Sequence, residues 1–596
     1  MTTAPGTTAA GTTAPGTTAP PTAPDVEAPP TRGFAAALES GLLGPEPPAF
    51  PEQDAADRSE GDATTARLDA FLRARLDPDL VDLTGELPEG FLDDLRTSGF
   101  LKLRLGPEAE GLGLSPYNTF RAVEHAAGLC MPAGQMLAVQ AGVGAPALLP
   151  ALPEGPLRDH LTGRLADGAV SGFALTEPAG QNNAWPGTTA TPAADGASYV
   201  LRGEKVFTGH GPVADLLAVA ATEHTAEGRR LCVCFVDTSA DGFEVTSSIE
   251  FAGSRGLPNG ALRLDGVRVP AEHVVRGAPD EPRFSDRMAD VLLDGQLYFT
   301  GAPALAIARL CRRWSAEFLA RRSVNGRALI EYDAVQRLVA RTLAEVHAMD
   351  SVIRWALIGP GAEDRWFERL TAKNLAVRTA WRIVDRTVSL YGAEGVETVP
   401  SKLRRGAPPV PLERRMRDAR GLRIAGNVDF QLDAQAGRRL LTRYYATTGD
   451  APAAGLPGHT ADGAGAAGLT GANRVHLTAV REQVARFHET CAALVKAHPE
   501  QEELFEKEHT LILLGRIGAE LFAMYAVLAR AAQARPRDEG GGEGVYADAA
   551  SGTLAEVYCV EAGHRLADLW RRLGTGREPD YAGLGRRWLA GCADRP

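Results

Sequence analysis

The chemistry-bearing residues of this chain fall in a few short runs. His210 stands in Gly209-His210-Gly211, a turn after the β-like segment Gly203-Glu204-Lys205-Val206-Phe207-Thr208. An imidazole there can take up a proton near neutral pH, although a lone turn histidine also suits a structural role. Asp294, in Leu293-Asp294-Gly295-Gln296, is an acidic residue near a helix start, where the helix dipole favours it. Asp429 closes the run Gly426-Asn427-Val428-Asp429. The seven cysteines (130, 232, 234, 311, 491, 559, 592) are odd in number and scattered. Cys232 and Cys234 lie in the buried-strand pattern Leu231 to Val236 with no further ligands at metal-knuckle spacing, which predicts reduced core thiols in a cytoplasm. No G-x-S-x-G elbow, G-x-x-x-x-G-K-[ST] loop or H-E-x-x-H pair occurs. The run Glu539 to Gly544 is glycine-rich but acidic and follows a helical pattern, so it reads as a flexible loop.

Several domains are needed to carry these residues, because 596 positions exceed what one core supports. An apolar share of 44% with 23% charged residues is that of a globular protein, and a net charge of −12 argues against a nucleic-acid partner. No transmembrane segment and no secretory leader are expected.

The expected fold class is α+β. Residues 1–32 are a Thr/Ala/Pro/Gly-rich repeat read as a disordered tail. Residues 33–168 show helical, Ala- and Leu-rich patterns. Short period-2 segments with Gly, Pro or Asp between them fill 169–280, a middle β domain that is mostly antiparallel by its short connections. Helical periodicity returns over 281–448, a Gly/Ala/Pro linker covers 449–472, and three amphipathic helices are expected in 473–596.

Three segments in sequence carry a family likeness: Phe173-Ala174-Leu175-Thr176-Glu177-Pro178, Gly203 to Gly211, and Leu264-Asp265-Gly266-Val267-Arg268-Val269-Pro270. With Arg417-Asp418-Ala419-Arg420 further on, they resemble the acyl-CoA dehydrogenases. The resemblance implies a helical N-terminal domain, a small middle β domain, a C-terminal four-helix bundle, FAD as cofactor and an acyl thioester as substrate. Phe34 to Pro51, Leu521 to Ala531 and Val557 to Ala562 are similar to the very-long-chain branch, whose members carry an extra helical C-terminal domain and are typically dimers.

In that family a glutamate removes the α-proton of the thioester while the β-hydrogen leaves as hydride to FAD. The glutamate of the family's R-D-x-R-x-x-x-I-[YF]-E-G-T motif corresponds to Gly426 here. A second base position used in some branches corresponds to Gly295. Asp294, Asp429 and His210 are the remaining candidate bases, each displaced from a family position. Likeness to the flavin-binding motifs falls on Phe173, Leu175, Thr176, Asn182, Phe207 and Gly209. The motifs that reach a neighbouring subunit's dinucleotide fall on Arg322, Gly326, Gly392 and Gly395. No metal is implied. Partners expected from the resemblance are an acyl-CoA or acyl-carrier-protein substrate, an electron-transfer flavoprotein, and a second copy or an active paralogue. Two alternatives to a dehydrogenase with a non-standard or missing base stand: a non-catalytic partner subunit of a heteromer, and a flavin-dependent monooxygenase on the same fold.

Overall fold

The structure, a computed structural model, describes residues 33–181, 183–359, 365–446, 468–533, 550–574 and 579–593. The repeat tail 1–32, most of the linker 449–472, the loop 539–544 and Asn182 lie outside the described residues. Eight helices come first: α1 (Phe34–Ser40), α2 (Ala55–Arg75), α3 (Pro78–Thr84), α4 (Phe91–Thr97), α5 (Pro116–Leu129), α6 (Met131–Gly142), α7 (Ala145–Leu148) and α8 (Pro156–Ala166). Ser115 caps α5 through its hydroxyl, which accepts the Asn118 N–H at 3.2 Å, and Pro116 sits in the first turn where no N–H is needed.

Strands follow as β1 (Ser171–Ala174), β2 (Thr189–Pro192), β3 (Ser198–Gly209), β4 (Leu216–Thr225), β5 (Gly228–Asp237), β6 (Phe243–Ser248), β7 (Asn259–Pro270) and β8 (Val274–Pro279). They form one eight-stranded sheet in the order β6-β7-β3-β2-β4-β5-β8, with β1 parallel to β4. Strand β4 is apolar along most of its length because both faces are covered. Leu217, Val219 and Ala221 join the core with Cys232 and Cys234, while Leu216 and Ala218 meet Leu148, Leu161 and Leu165 from the helical layer. Both thiols are therefore buried core groups, and among the described residues no group of side chains has the makings of a metal site.

The second helical layer comprises α9 (Asp286–Gln296), α10 (Ala302–Arg321), α11 (Asp333–Leu357), α12 (Trp366–Tyr391), α13 (Ala393–Val396), α14 (Val399–Arg404), α15 (Leu412–Leu422) and α16 (Asp429–Ala446). Between α9 and α10, Leu297–Gly301 winds as a π-turn, and β9 (Ser323–Val324) with β10 (Arg327–Ala328) makes a small hairpin before α11. Helix α12 is central and packs on α10, α11, α15 and α16. The last region holds α17 (Gly471–Ala497), α18 (Gln501–Phe505), α19 (Glu508–Gln533), α20 (Ser551–Gly574) and α21 (Tyr581–Ala593). The Thr470 hydroxyl caps α17, so helix begins inside the last residues of the expected linker.

Met288–Arg321 and Glu508–Gln533 are long and apolar enough to cross a membrane by length and composition, yet 72% and 83% of their most apolar windows are buried inside the fold. Helix α19 crosses α16 at backbone contact distance. A Cβ on Gly515 would sit 2.0 Å from the Asp433 carbonyl oxygen, and one on Gly437 would sit 2.2 Å from that of Leu511. The amino-terminal segment closes on the same region. Phe34 lies among Phe367, Phe522 and Tyr525, Phe50 is edge-on to Trp355, and the Phe50 N–H donates to Gln533 Oε1 at 2.7 Å.

Candidate functional site

The chain leaving β1 is held against β3 by one buried ion pair. Glu177 takes the Lys205 ammonium at 2.8 Å, the Thr188 hydroxyl at 2.7 Å, and the backbone N–H groups of Gly187 and Thr188 at 2.6 and 2.8 Å. Burial works against the carboxylate, but hydrogen bonds from Lys205 and Thr188 outweigh it and bring its pKa to about 2. Lys205, whose side chain is fully buried, also donates to the Leu175 carbonyl at 3.3 Å. The Thr176 carbonyl accepts the Val206 N–H at 2.9 Å. Leu175 and Thr176 are thereby tied to the strand that bears Phe207 and Gly209.

Strand β3 then breaks register. Lys205 faces Leu262 and Thr208 faces Gly260 on β7, so an extra residue bulges from β3. Phe207 takes that place with φ 57°, a left-handed conformation rare for an aromatic residue, and the residue is 56% exposed. Phe251 stands beside it at 6.2 Å between ring centroids. Phe173, by contrast, is half-buried and edge-on to Phe284 at 5.9 Å.

Two residues on, Gly209 faces α6: a Cβ there would lie 3.1 Å from a Val139 methyl. His210 also has a positive φ, 63°, and is fully buried. Its Nδ1 lies 2.8 Å from the Ser171 carbonyl, which fixes the proton on Nδ1 and leaves Nε2 an unpartnered acceptor. Burial holds its pKa down at about 4, so the ring is neutral. Because the unfolded ring titrates at 6.5, its contribution to stability is complete above that pH and drains as pH falls toward 4. His210→Gln removes the titration, and the stability gap between wild type and this variant is expected to narrow below pH 6.5. Thermal midpoints measured across that range check it; a constant gap counts against a buried neutral ring.

The turn between α15 and α16 carries Gly426. Gly426 and Asn427 both have positive φ, 61° and 80°. The Lys373 ammonium, buried on α12, donates to the Asn427 carbonyl at 3.0 Å and fastens the turn from beneath. Burial pushes Lys373 down to about 7, with Asp429 and Asp433 opposing. A Cβ on Gly426 would point at Gln296, 3.3 Å from its Cγ. Gly295 does not face this turn: a Cβ there would strike the Gly142 carbonyl at 2.2 Å. Gln296, one residue on, is the residue that meets Gly426.

Both acidic candidates are committed elsewhere. Asp294 takes the Arg369 guanidinium at 3.1 Å, and Asp429 Oδ2 accepts Nε and Nη2 of Arg423 at 2.8 and 2.6 Å. Neither pairing is visible in spacing alone, and Lys205, Lys373 and Gln296 were likewise not singled out by their sequence context. Farther off, Arg322 is exposed on the β9–β10 hairpin with no carboxylate partner among the described residues. Gly326 and Gly392, at φ 74° and 61°, have open space where a Cβ would be, whereas Gly395 packs on Val388. Arg321 binds Glu394 at 3.0 Å and so joins the hairpin base to the 392–395 turn.

A helical layer, a bulged antiparallel sheet and a helical bundle in this order make up the acyl-CoA dehydrogenase fold. Family profiles agree: residues 172–267 match "Acyl-CoA dehydrogenase, middle domain" and 298–438 match "Acyl-CoA dehydrogenase, C-terminal domain". The chain is 28% identical over 573 residues to the probable acyl-CoA dehydrogenase FadE10 of Mycobacterium tuberculosis, covering 91% of this chain and 85% of that one. It is 29% identical over 347 residues to the cyclohexane-1-carbonyl-CoA dehydrogenase of Geobacter metallireducens, covering 57% and 86%. Among solved structures it resembles an acyl-CoA dehydrogenase complexed with FAD from Bacillus anthracis, with TM-score 0.69, 16% identity, and 95% and 96% of the two chains covered. Residues 172–267 and 298–438 are thus similar to the two acyl-CoA dehydrogenase domains, and the fold is that of the family's solved structures.

Proposed function

We propose that this chain is an FAD-dependent oxidoreductase of acyl thioesters, borne on CoA or a carrier protein, with no carboxylate on its 423–428 turn. The observation that carries this reading is the bare Cα of Gly426, set against Gln296 at the end of α9. The residues present fit FAD. The Phe207 ring is exposed for a planar group, and the Arg322 guanidinium, beside the open Cα positions of Gly326 and Gly392, suits an anionic diphosphate. Bound FAD supplies a hydride acceptor for the β-hydrogen. Thr176, Phe207 and Gly209 would hold its ring system, while Glu177 and Lys205 keep those segments in register. Arg322, Gly326 and Gly392 would serve the dinucleotide of a neighbouring subunit, and an electron-transfer flavoprotein would take the electrons onward.

The visible absorption spectrum of the purified protein, with its flavin stoichiometry, tests this. About one FAD per chain is the expected result. A protein that stays colourless with FAD added would rule out a stand-alone enzyme. The second reading is then a partner subunit that completes the site of an active paralogue, which the exposed Arg322 would equally serve.

A further inference from the structure

We propose a halide-binding site between the helical bundle and the last helical region. The guanidinium groups of Arg378 on α12 and Arg516 on α19 hold one chloride-sized anion in a cavity that they line.

That cavity, of about 20 Å³, lies among α12, α16 and α19. Arg378, Arg382 and Arg516 line it against only two carboxylates, Asp433 and Glu520. Neither acid is free to balance them. Glu520 accepts Nε and Nη2 of Arg565 on α20 at 2.8 and 2.9 Å. Asp433 Oδ2 accepts Arg516 Nε at 2.6 Å, and Arg378 Nη1 stays 3.4 Å from it. Arg382 donates to Glu345 at 3.1 Å, but Glu345 also takes Arg386 at 2.9 Å. Asp429, the other acid of α16, belongs to Arg423. Asp433 and Glu345 thus serve two arginines each. Arg378 and Arg516, both half-buried, keep N–H groups without an acceptor among the described residues.

An excess of positive charge held away from bulk water is unfavourable unless an anion meets it. Burial pushes the Arg378 guanidinium below its ordinary value; Asp433 opposes, and Arg516 and Arg382 add to the push. Charged N–H donors of this kind bind anions strongly. The space sets the size of the ion. A cavity of about 20 Å³ takes one or two water-sized spheres, so it admits a halide and is too small for a phosphate. Asn374, on the same wall and 3% exposed, accounts for a companion water. Its amide donates to the Asp429 carbonyl at 2.8 Å and to Asp433 Oδ1 at 2.5 Å, while its Oδ1 has no donor among the described residues. A water there gives one hydrogen to Oδ1 and the other to the anion. The ion so placed ties α19 to α12 beside the close crossing of α19 and α16.

Thermal unfolding of the purified full-length protein in sodium bromide, against sodium gluconate at constant ionic strength, tests the site. The wild-type midpoint is expected to rise by about 2 °C or more as bromide goes from about 1 to 100 mM. Arg378→Gln should lose that rise. Arg337→Gln, an exposed change on α11, should keep it. Phosphate should act equally on wild type and Arg378→Gln. Anomalous diffraction from wild-type crystals grown in bromide needs no variant, and a bromide peak touching both guanidinium groups is the expected result. A midpoint indifferent to bromide, an equal rise in wild type and Arg378→Gln, or a map with no peak in the cavity each overturns the site. A peak without the thermal rise would be an adventitious ion only, and overturns it as well. A rise that depends on Arg378 but appears with phosphate instead of bromide overturns the assignment to a halide.

Discussion

Lys205→Met is expected to cost about 3–5 kcal/mol, because it strands the Glu177 carboxylate without its cation inside the sheet. The Lys205 side chain is fully buried and that of Glu177 is 9% exposed, so water cannot replace the lost partner in place. Glu177 would still accept from Thr188 and two backbone N–H groups. Adding Glu177→Gln to Lys205→Met removes the stranded charge while keeping an acceptor for Thr188, and it should recover much of the loss. Thermal unfolding of the single and double variants measures both effects. A single variant no worse than an ordinary surface substitution, within about 0.5 kcal/mol, would show that the pair contributes little. The pH dependence has a definite sign. The folded carboxyl titrates at about 2 against 4.5 unfolded, so its contribution is complete above pH 4.5 and is lost as pH falls toward 2. Since the pair pins Leu175 and Thr176 to β3, FAD content should fall along with stability in Lys205→Met.

Gly515→Val is the second large effect. The virtual Cβ of Gly515 lies 2.0 Å from the Asp433 carbonyl oxygen, and a backbone atom cannot swing away as a side-chain tip can. Helix α19 must therefore lift from α16, which also strains the Arg516–Asp433 ion pair at 2.6 Å. Overpacking of this kind costs about 1–3 kcal/mol, and contact with backbone belongs at or above the top of that range. Gly563→Ala on α20 is the matched control, since nothing lies within 4 Å of its virtual Cβ. Relief of glycine's backbone entropy there should add about 0.5–1 kcal/mol. Denaturant midpoints that rank the two variants equally would refute the close helix crossing.

Much of this architecture is legible from local pattern. The short apolar runs at 216–221 and 231–236 are β4 and β5, and the stripe Leu477, Val480, Val484, Phe487, Cys491 is the buried face of α17. The site is less legible, for reasons that differ by residue. Arg369 lies 75 positions from Asp294, so only the packing of α12 on α9 pairs them. Arg423 is six positions from Asp429, but the left-handed pair Gly426-Asn427 folds the chain back between them. That Gln296 meets Gly426 depends on how the 423–428 turn folds against the end of α9, which local spacing does not register. Lys373 sits in an ordinary helical pattern, and only its burial beneath the 427 carbonyl gives it a role.

The aromatic cluster around Phe34 bears on how the chain comes to be folded at all. Phe34 and Phe50 emerge early in synthesis, yet their partners Phe522, Tyr525 and Gln533 are made about five hundred residues later. Tyr444, whose hydroxyl donates to the Leu38 carbonyl at 2.7 Å, comes almost as late. Contacts of such long sequence separation form slowly, because the loop between them must close before they give anything back. The amino-terminal segment therefore waits undocked through most of translation, Phe34 and Phe50 open to holdase chaperones. A stalled ribosome that has released residues up to about 450 would present that segment to a protease, and release of α19 would withdraw it.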